Sequence, residues 1–156
     1  MIEIERKFLV VSNDFKIESF KKTRIIQGFL NTDPERTVRV RLKGEQGFIT
    51  VKGKSTENGL KRFEWEKDIS KTDAEALLNL CEEGVIDKTR YEVRQKHLVF
   101  EIDEFYGDNE GLIIAELELE HEHEAFEIPQ WLGKEVTGET KYYNSELSKH
   151  PFKTWI

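Results

Sequence analysis

Cysteine is nearly absent. Cys81 stands alone in 156 residues, so no internal disulfide can form and no cysteine metal cluster is available. No apolar run is long enough to span a membrane. The first residues lack a secretory leader, because Glu3 and Glu5 interrupt any apolar stretch at once. These absences give the expectation of a cytoplasmic chain. A glycine-rich phosphate loop is also missing, so any phosphate would have to be held by side chains. No Ser-His-Asp arrangement emerges from the spacings. The formal charge of −7 speaks against a general nucleic-acid coat, which needs a basic surface, yet it permits a local basic pocket.

What the chain does have is charge. Charged residues make up 35% and hydrophobic residues only 37%, a balance shifted away from the usual globular domain. Ten Phe, four Tyr and three Trp still argue for folding rather than disorder. With no linker, repeat or low-complexity tract, residues 1–156 are expected to form one domain. The excess charge must then occupy defined positions.

Period-two alternation assigns those positions. Glu3, Glu5 and Lys7 alternate with Ile2, Ile4 and Phe8, so in a strand the three charges share one face. The pattern recurs as Arg39, Arg41 and Lys43, as Lys52 and Lys54, and as Arg62, Glu64, Glu66 and Asp68. It continues through Lys88, Arg90, Glu92 and Arg94, then Glu101 and Asp103, then Glu116, Glu118 and Glu120. Strands are expected near 2–10, 23–31, 36–43, 46–53, 60–69, 86–95, 97–106 and 112–120. Short links such as Asn58-Gly59 make neighbours antiparallel. One clear helix is expected with Thr72 as N-cap, Glu75 reaching back to it, and Gly84 at the C′ position. Cys81 falls on its apolar face as a small core residue. Further helices are expected over 13–21 and from Asn144.

An antiparallel sheet with one solvated face would also alternate. Like charges two residues apart, however, sit roughly 6–7 Å from each other and repel. A merely solvated face would use Thr, Ser and mixed signs, and those faces have almost none. A closed eight-stranded barrel with its charged faces inward accounts for the whole set and leaves no exposed edge. Buried charge is costly unless it is paired or ligated, so such an interior would hold water, metal ions and an anion together. Carboxylates suit Mg²⁺ or Mn²⁺. Arg forks and Lys ammonium groups suit phosphate.

The ordered set of motifs resembles the CYTH domain, also called the triphosphate tunnel metalloenzyme family. Its Glu-x-Glu-x-Lys signature is present as Glu3, Glu5 and Lys7. Arg39-Val-Arg41, Thr50-Val-Lys52, Arg62-Phe-Glu64-Trp-Glu66 and Lys88-Thr-Arg90 follow in the expected order. Glu101-Ile-Asp103, Glu116-Leu-Glu118 and Lys141-Tyr-Tyr-Asn144 complete it across nearly the whole chain. The compactness looks like the short stand-alone bacterial type. The resemblance implies a mainly β fold, an eight-stranded antiparallel tunnel with a few flanking helices. It implies metal ligands at Glu3, Glu5, Asp103, Glu116 and Glu118. It implies phosphate contacts at Arg39, Arg41, Lys52, Arg62, Lys88 and Arg90, with Lys141 closing over one end. Lys7, Glu64 and Glu66 take the catalytic parts.

The function this implies first is a divalent-metal-dependent inorganic triphosphatase, cleaving tripolyphosphate to pyrophosphate and phosphate. An organic triphosphate hydrolase, a class IV-type adenylyl cyclase and a non-catalytic polyphosphate-binding module stay open as alternatives. The partner expected is a small-molecule triphosphate, not nucleic acid or a membrane, and a homodimer is left open. Phe29, where the family often carries Tyr, reads as an outward core aromatic. His121 and His123 read as solvated, and Trp131 and Trp155 as packing groups.

Overall fold

Alternating sequence and tight turns produce nine strands among residues 2–155, the part of the chain that the computed structural model describes. Met1 and Ile156, the ends of the expected 1–156 domain, lie outside the described residues. The strands are β1 (Ile2–Val10), β2 (Lys21–Asn31), β3 (Arg36–Lys43), β4 (Gln46–Gly53), β5 (Lys61–Ile69), β6 (Ile86–Gln95), β7 (Leu98–Phe105), β8 (Ile113–Glu118) and β9 (Leu132–Glu135). The first eight lie within about two residues of where alternation puts them, the usual slack at strand ends. The ninth carries Leu-Gly-Lys-Glu, too short to alternate visibly.

Eight strands close on themselves in the order β5-β4-β3-β2-β6-β7-β8-β1. The ring is sealed where β1 meets β5 through Ile2↔Phe63, Glu3↔Arg62 and Ile4↔Lys61. Every pairing is antiparallel, and β9 adds to β1 through Phe8↔Glu135 and Val10↔Leu132. No helix of the described chain is long and apolar enough to cross a membrane.

The main apolar core lies outside the barrel wall. Phe8, Tyr91, Val93, Phe100, Ile102 and Leu117 point outward and pack with Phe15 and Trp131. Phe15 comes from α1 (Phe15–Glu18), which lies against β6. The Trp131 ring meets Phe100 and Phe15 edge-on at centroid distances of 5.2 and 6.0 Å. Burying side chains of this kind contributes roughly 1.5–3 kcal/mol each. α2 (Lys71–Leu78) covers β3 and β4, with Ala74 fully buried against Gly47. A second apolar cluster fills one end of the barrel. There Ile86, Phe105 and Ile114 turn inward and meet Val136, Tyr142 and Leu147 of the C-terminal segment, which includes α3 (Asn144–Leu147). Trp155 packs edge-on against Tyr142 and Phe152.

Local details differ from expectation. The N-cap of α2 is Ser70, whose hydroxyl accepts from the Asp73 N–H at 3.0 Å, and not Thr72 with Glu75. β5 ends at Ile69, so Ser70 is the first residue free to adopt the extended geometry an N-cap needs. The helix stops at Leu78 with Asn79 as C-cap, which leaves Gly84 and the half-buried Cys81 beyond it. Gly84 instead lets the chain pass under the Ser148 carbonyl. α1 is a single turn, shorter than the expected 13–21, and α3, also a single turn, starts at Asn144 as expected.

The β4–β5 turn is pressed against the C-terminal segment at one point. Gly59 (φ +72°) and Gly138 (φ +80°) meet so closely that a Cβ at residue 59 would stand 2.2 Å from the Gly138 Cα. Gly59→Ala should therefore lose at least about 1–2 kcal/mol, from left-handed backbone strain plus displacement of the seam. A urea unfolding midpoint equal to that of the parent chain would show that the seam does not bear on stability.

Candidate active site

The ring order decides which charged faces confront each other. With eight strands in the circle, β8 lies opposite β3, and β7 opposite β4. The inward side chains of β8, β1 and β7 give an acidic wall of Glu116, Glu118, Glu3, Glu5 and Glu101. Across from it, β3 and β4 supply Arg39, Arg41, Lys43 and Lys52. β6 adds Arg90, β5 adds Arg62, Glu64 and Glu66, and Lys7 projects from β1. Together they line one cavity of about 260 Å³.

Both walls are crowded with like charge. Register puts Glu5 beside Glu118 and Glu101 beside Glu116. Burial, then the charges of Glu116 and Glu3, push the Glu5 carboxyl well above the usual carboxylate range. Burial would raise Glu116 too, but Lys7, a hydrogen bond from Glu5, and Arg90 and Lys88 hold it low. A hydrogen bond with Glu3, reinforced by burial, raises Glu64 to about 7. Glu3 itself is lowered: burial acts against ionisation, and the Glu64 hydrogen bond and Lys52 outweigh it. The acids thus share protons in pairs, Glu5 with Glu116 and Glu64 with Glu3. A divalent cation would replace those protons, and an all-carboxylate donor set suits a hard cation.

The basic wall is held only loosely. Lys52 Nζ lies 3.2 Å from Glu3 and 3.8 Å from Glu64, and Lys7 lies 3.9 Å from Glu116. Arg39 and Arg41 reach Glu66 at 3.4 and 3.6 Å. Their Nε atoms are buried and have no hydrogen-bond partner among the described residues. Burial and then Arg39 and Arg90 depress Arg41, while burial and then Arg90 and Arg41 depress Lys43. An anion in the cavity would relieve both.

Of the residues singled out from the sequence, Glu3, Glu5, Lys7, Arg39, Arg41, Lys52, Arg62, Glu64, Glu66, Arg90, Glu116 and Glu118 meet on this cavity. Lys88 and Asp103 do not line it; they form a buried ion pair behind Arg90. Lys141 does not close over the end. Its ammonium lies 4.6 Å from the Trp155 ring centre and 5.2 Å from that of Tyr142, held outside by their π faces. Phe29 is corrected from outward to inward: it is paired with Arg39, shares that residue's face, and lines the cavity. Trp131 is buried in the outer core, and His121 and His123 are exposed. Lys43 and Glu101, which alternation puts on the same charged faces, line the cavity as well. Thr137, Tyr143 and Asn144 also line the cavity. Thr137 and Tyr143 lie outside regular elements and Asn144 is the first residue of α3, so only packing brings them in, with Lys7 Nζ 4.8 Å from the Tyr143 ring centre. Away from the cavity, His97, Glu120 and Glu124 cluster at the surface, where His97 and the Glu120 N–H both hydrogen-bond to Glu124.

Comparison with known proteins gives a consistent picture. Residues 1–151 match the model of the CYTH domain family. An inorganic triphosphatase of Acetivibrio thermocellus is 44% identical over 154 residues, covering 98% of this chain and 97% of that protein. An inorganic triphosphatase of Nitrosomonas europaea is 36% identical over 152 residues, covering 95% and 97%. A solved inorganic triphosphatase superposes with a TM-score of 0.66 at 34% identity, covering 94% of this chain and 93% of that one.

Because the acids share protons, divalent metal binding should release protons near neutral pH, and affinity should weaken as pH falls through about 7, where Glu64 takes up its proton. Calorimetric Mn²⁺ titrations in buffers of differing ionisation enthalpy measure this. A binding enthalpy independent of the buffer would contradict the shared-proton arrangement.

Proposed function

Because the chain belongs to the CYTH domain family, we propose that it is an inorganic triphosphatase, hydrolysing tripolyphosphate to pyrophosphate and phosphate. The observation that carries this reading is the confrontation of an acidic and a basic wall across one cavity. A short polyanion would need the basic wall alone; the carboxylates add a place for metal. We read residues 1–156 as one such domain, acting in the cytoplasm on a small-molecule triphosphate.

Glu3, Glu5, Glu116 and Glu118 would hold the metal, Mg²⁺ or Mn²⁺, whose charge when bound there neutralises phosphate oxygens and favours displacement at phosphorus. Arg39, Arg41, Lys52, Arg62 and Arg90 grip the phosphate oxygens and spread the charge that grows on the transferring group. Lys7, beside Glu116, donates to an oxygen of the same group. Glu64, with its carboxyl raised to about 7, takes the proton of a water that attacks the terminal phosphorus. One P–O bond forms to that water, the bridging P–O bond breaks in line, and pyrophosphate leaves. Glu66 balances Arg39 and Arg41 until substrate arrives. The aromatic lining supports an inorganic substrate, since Phe29 and Tyr143 alone among the described residues are aromatic there. Trp65, on the opposite face of β5 from Glu64 and Glu66, and Trp131, in the outer core, do not line the cavity.

Incubation with tripolyphosphate, ATP or thiamine triphosphate, with Mg²⁺, Mn²⁺ or EDTA, tests the reading. Phosphate and pyrophosphate should appear from tripolyphosphate and stop with EDTA. Cyclic AMP from ATP would move the chain to the cyclase class, and tight tripolyphosphate binding without turnover would make it a binding module. Glu116→Gln should cost at least about 10–100-fold in rate, whereas Arg39→Ala should mainly raise KM. Full activity in Glu116→Gln at saturating Mg²⁺ would remove Glu116 from the metal site.

A further inference from the structure

We propose that Asp103 is a positioning residue, which aims Arg90 into the cavity and anchors Lys88 behind it, and is not a ligand to the metal. The inference rests on the triphosphatase reading only in taking the cavity as the place where metal and phosphate meet.

Asp103 on β7 faces Arg90 on β6 directly across the ladder. Its Oδ1 accepts from Arg90 Nε at 2.8 Å. Its Oδ2 accepts from Arg90 Nη2 at 2.9 Å and from Lys88 Nζ at 2.7 Å. A carboxylate offers about four lone-pair positions, and three of these are committed to cations. The side chain is 1% exposed and lies off the cavity wall, whereas Arg90 is on it. To ligate a metal in the cavity, Asp103 would have to release a buried guanidinium or a buried ammonium. Glu5 and Glu116 face the cavity, and Glu116 meets a cation only at long range, with Lys7 Nζ 3.9 Å away.

The fork geometry says what Asp103 does instead. It occupies the Nε–Nη2 edge of Arg90 and leaves Nη1 on the cavity side, where it donates to Glu101 Oε2 at 3.3 Å, a longer bond that a phosphate can replace. A bidentate pair of this kind fixes the plane of the guanidinium as well as its position. Arg90 therefore presents one set of donors to a phosphate without having to order itself on binding. Lys88, also 1% exposed, has Asn144 Oδ1 at 3.4 Å as its other hydrogen-bond acceptor among the described residues, so Asp103 supplies its counter-charge. Asn144 belongs to α3, which ties the C-terminal segment to the same triad.

The test separates a ligand from a positioning group. For Asp103→Asn, KM for tripolyphosphate should rise about tenfold while the Mn²⁺ affinity of the substrate-free protein, read by electron paramagnetic resonance, stays within about twofold. Adding Arg90→Gln should cost little beyond Arg90→Gln alone, because the two act as one unit. Rescue should come from neither Glu nor Ala, since only the Asp length fits the fork. A fall of about tenfold or more in Mn²⁺ affinity with unchanged KM would overturn the proposal. If Asp103→Asn does not fold, the wild-type protein decides. Anomalous scattering from Mn²⁺-soaked crystals should leave Asp103 on Arg90 and Lys88, and manganese about 2–2.3 Å from an Asp103 oxygen would refute it. Should the wild type show no tripolyphosphate turnover, the functional reading fails, while the manganese position still decides the role of Asp103.

Discussion

Ionised side chains turned into the middle of a small barrel must neutralise one another before any ligand arrives, and the rest of the structure follows from how they do so. β8 and β1 turn Glu116, Glu118, Glu3 and Glu5 inward, and β3 and β4 turn Arg39, Arg41, Lys43 and Lys52 inward to face them. Neither wall could be buried alone, because an unpaired charge in a low-dielectric interior is prohibitively costly. Closure of the ring brings them together. The sealing contact between β1 and β5 itself pairs Glu3 with Arg62. Since the interior is given over to charge, the apolar faces must pack elsewhere. Phe100 and Trp131 accordingly build the main core on the outside of the wall.

Two kinds of ion pair divide the labour. Lys88 and Asp103 behind the wall and Arg90 upon it are joined at 2.7–2.8 Å and are almost inaccessible. These hold shape, and removing one partner would strand the others. Around the cavity, the Lys7, Lys52, Arg39 and Arg41 pairs are longer, at 3.2–3.9 Å. Loose pairs exchange partners at little cost. Phosphate can take the cations and metal can take the carboxylates without exposing either to an uncompensated interior. The crowding of like charge on each wall makes the site receptive to a metal-bound polyanion.

The apolar plug gives the charged region a boundary. Ile86, Phe105 and Ile114 turn inward on the same strand faces that carry Lys88, Asp103 and Glu116, and the C-terminal segment packs onto them. That segment also contributes Tyr143 and Asn144 to the cavity. Its docking, through the seam at Gly59 and Gly138, thus completes the site as well as the fold.

Strand positions, antiparallel order, the inward placement of charge and most cavity residues were legible in the sequence, because a period of two fixes side-chain direction locally. Glu3, Glu5 and Lys7 must share a face whatever surrounds them. The sequence could not show which strands oppose each other, since that depends on ring order and closure over long separations. Nor could it show that Phe29 points inward, because one apolar residue beside a glycine reads the same on either face. Asp103 and Glu101 lie on one strand with the same periodicity, yet only packing decided that Asp103 would be enclosed by Arg90 and Lys88 while Glu101 faces the cavity. Lys141 went the other way, drawn to the aromatic faces of Tyr142 and Trp155 in a segment with no regular period to orient it. Local alternation determined the chemistry that this chain carries; long-range closure decided which charges meet.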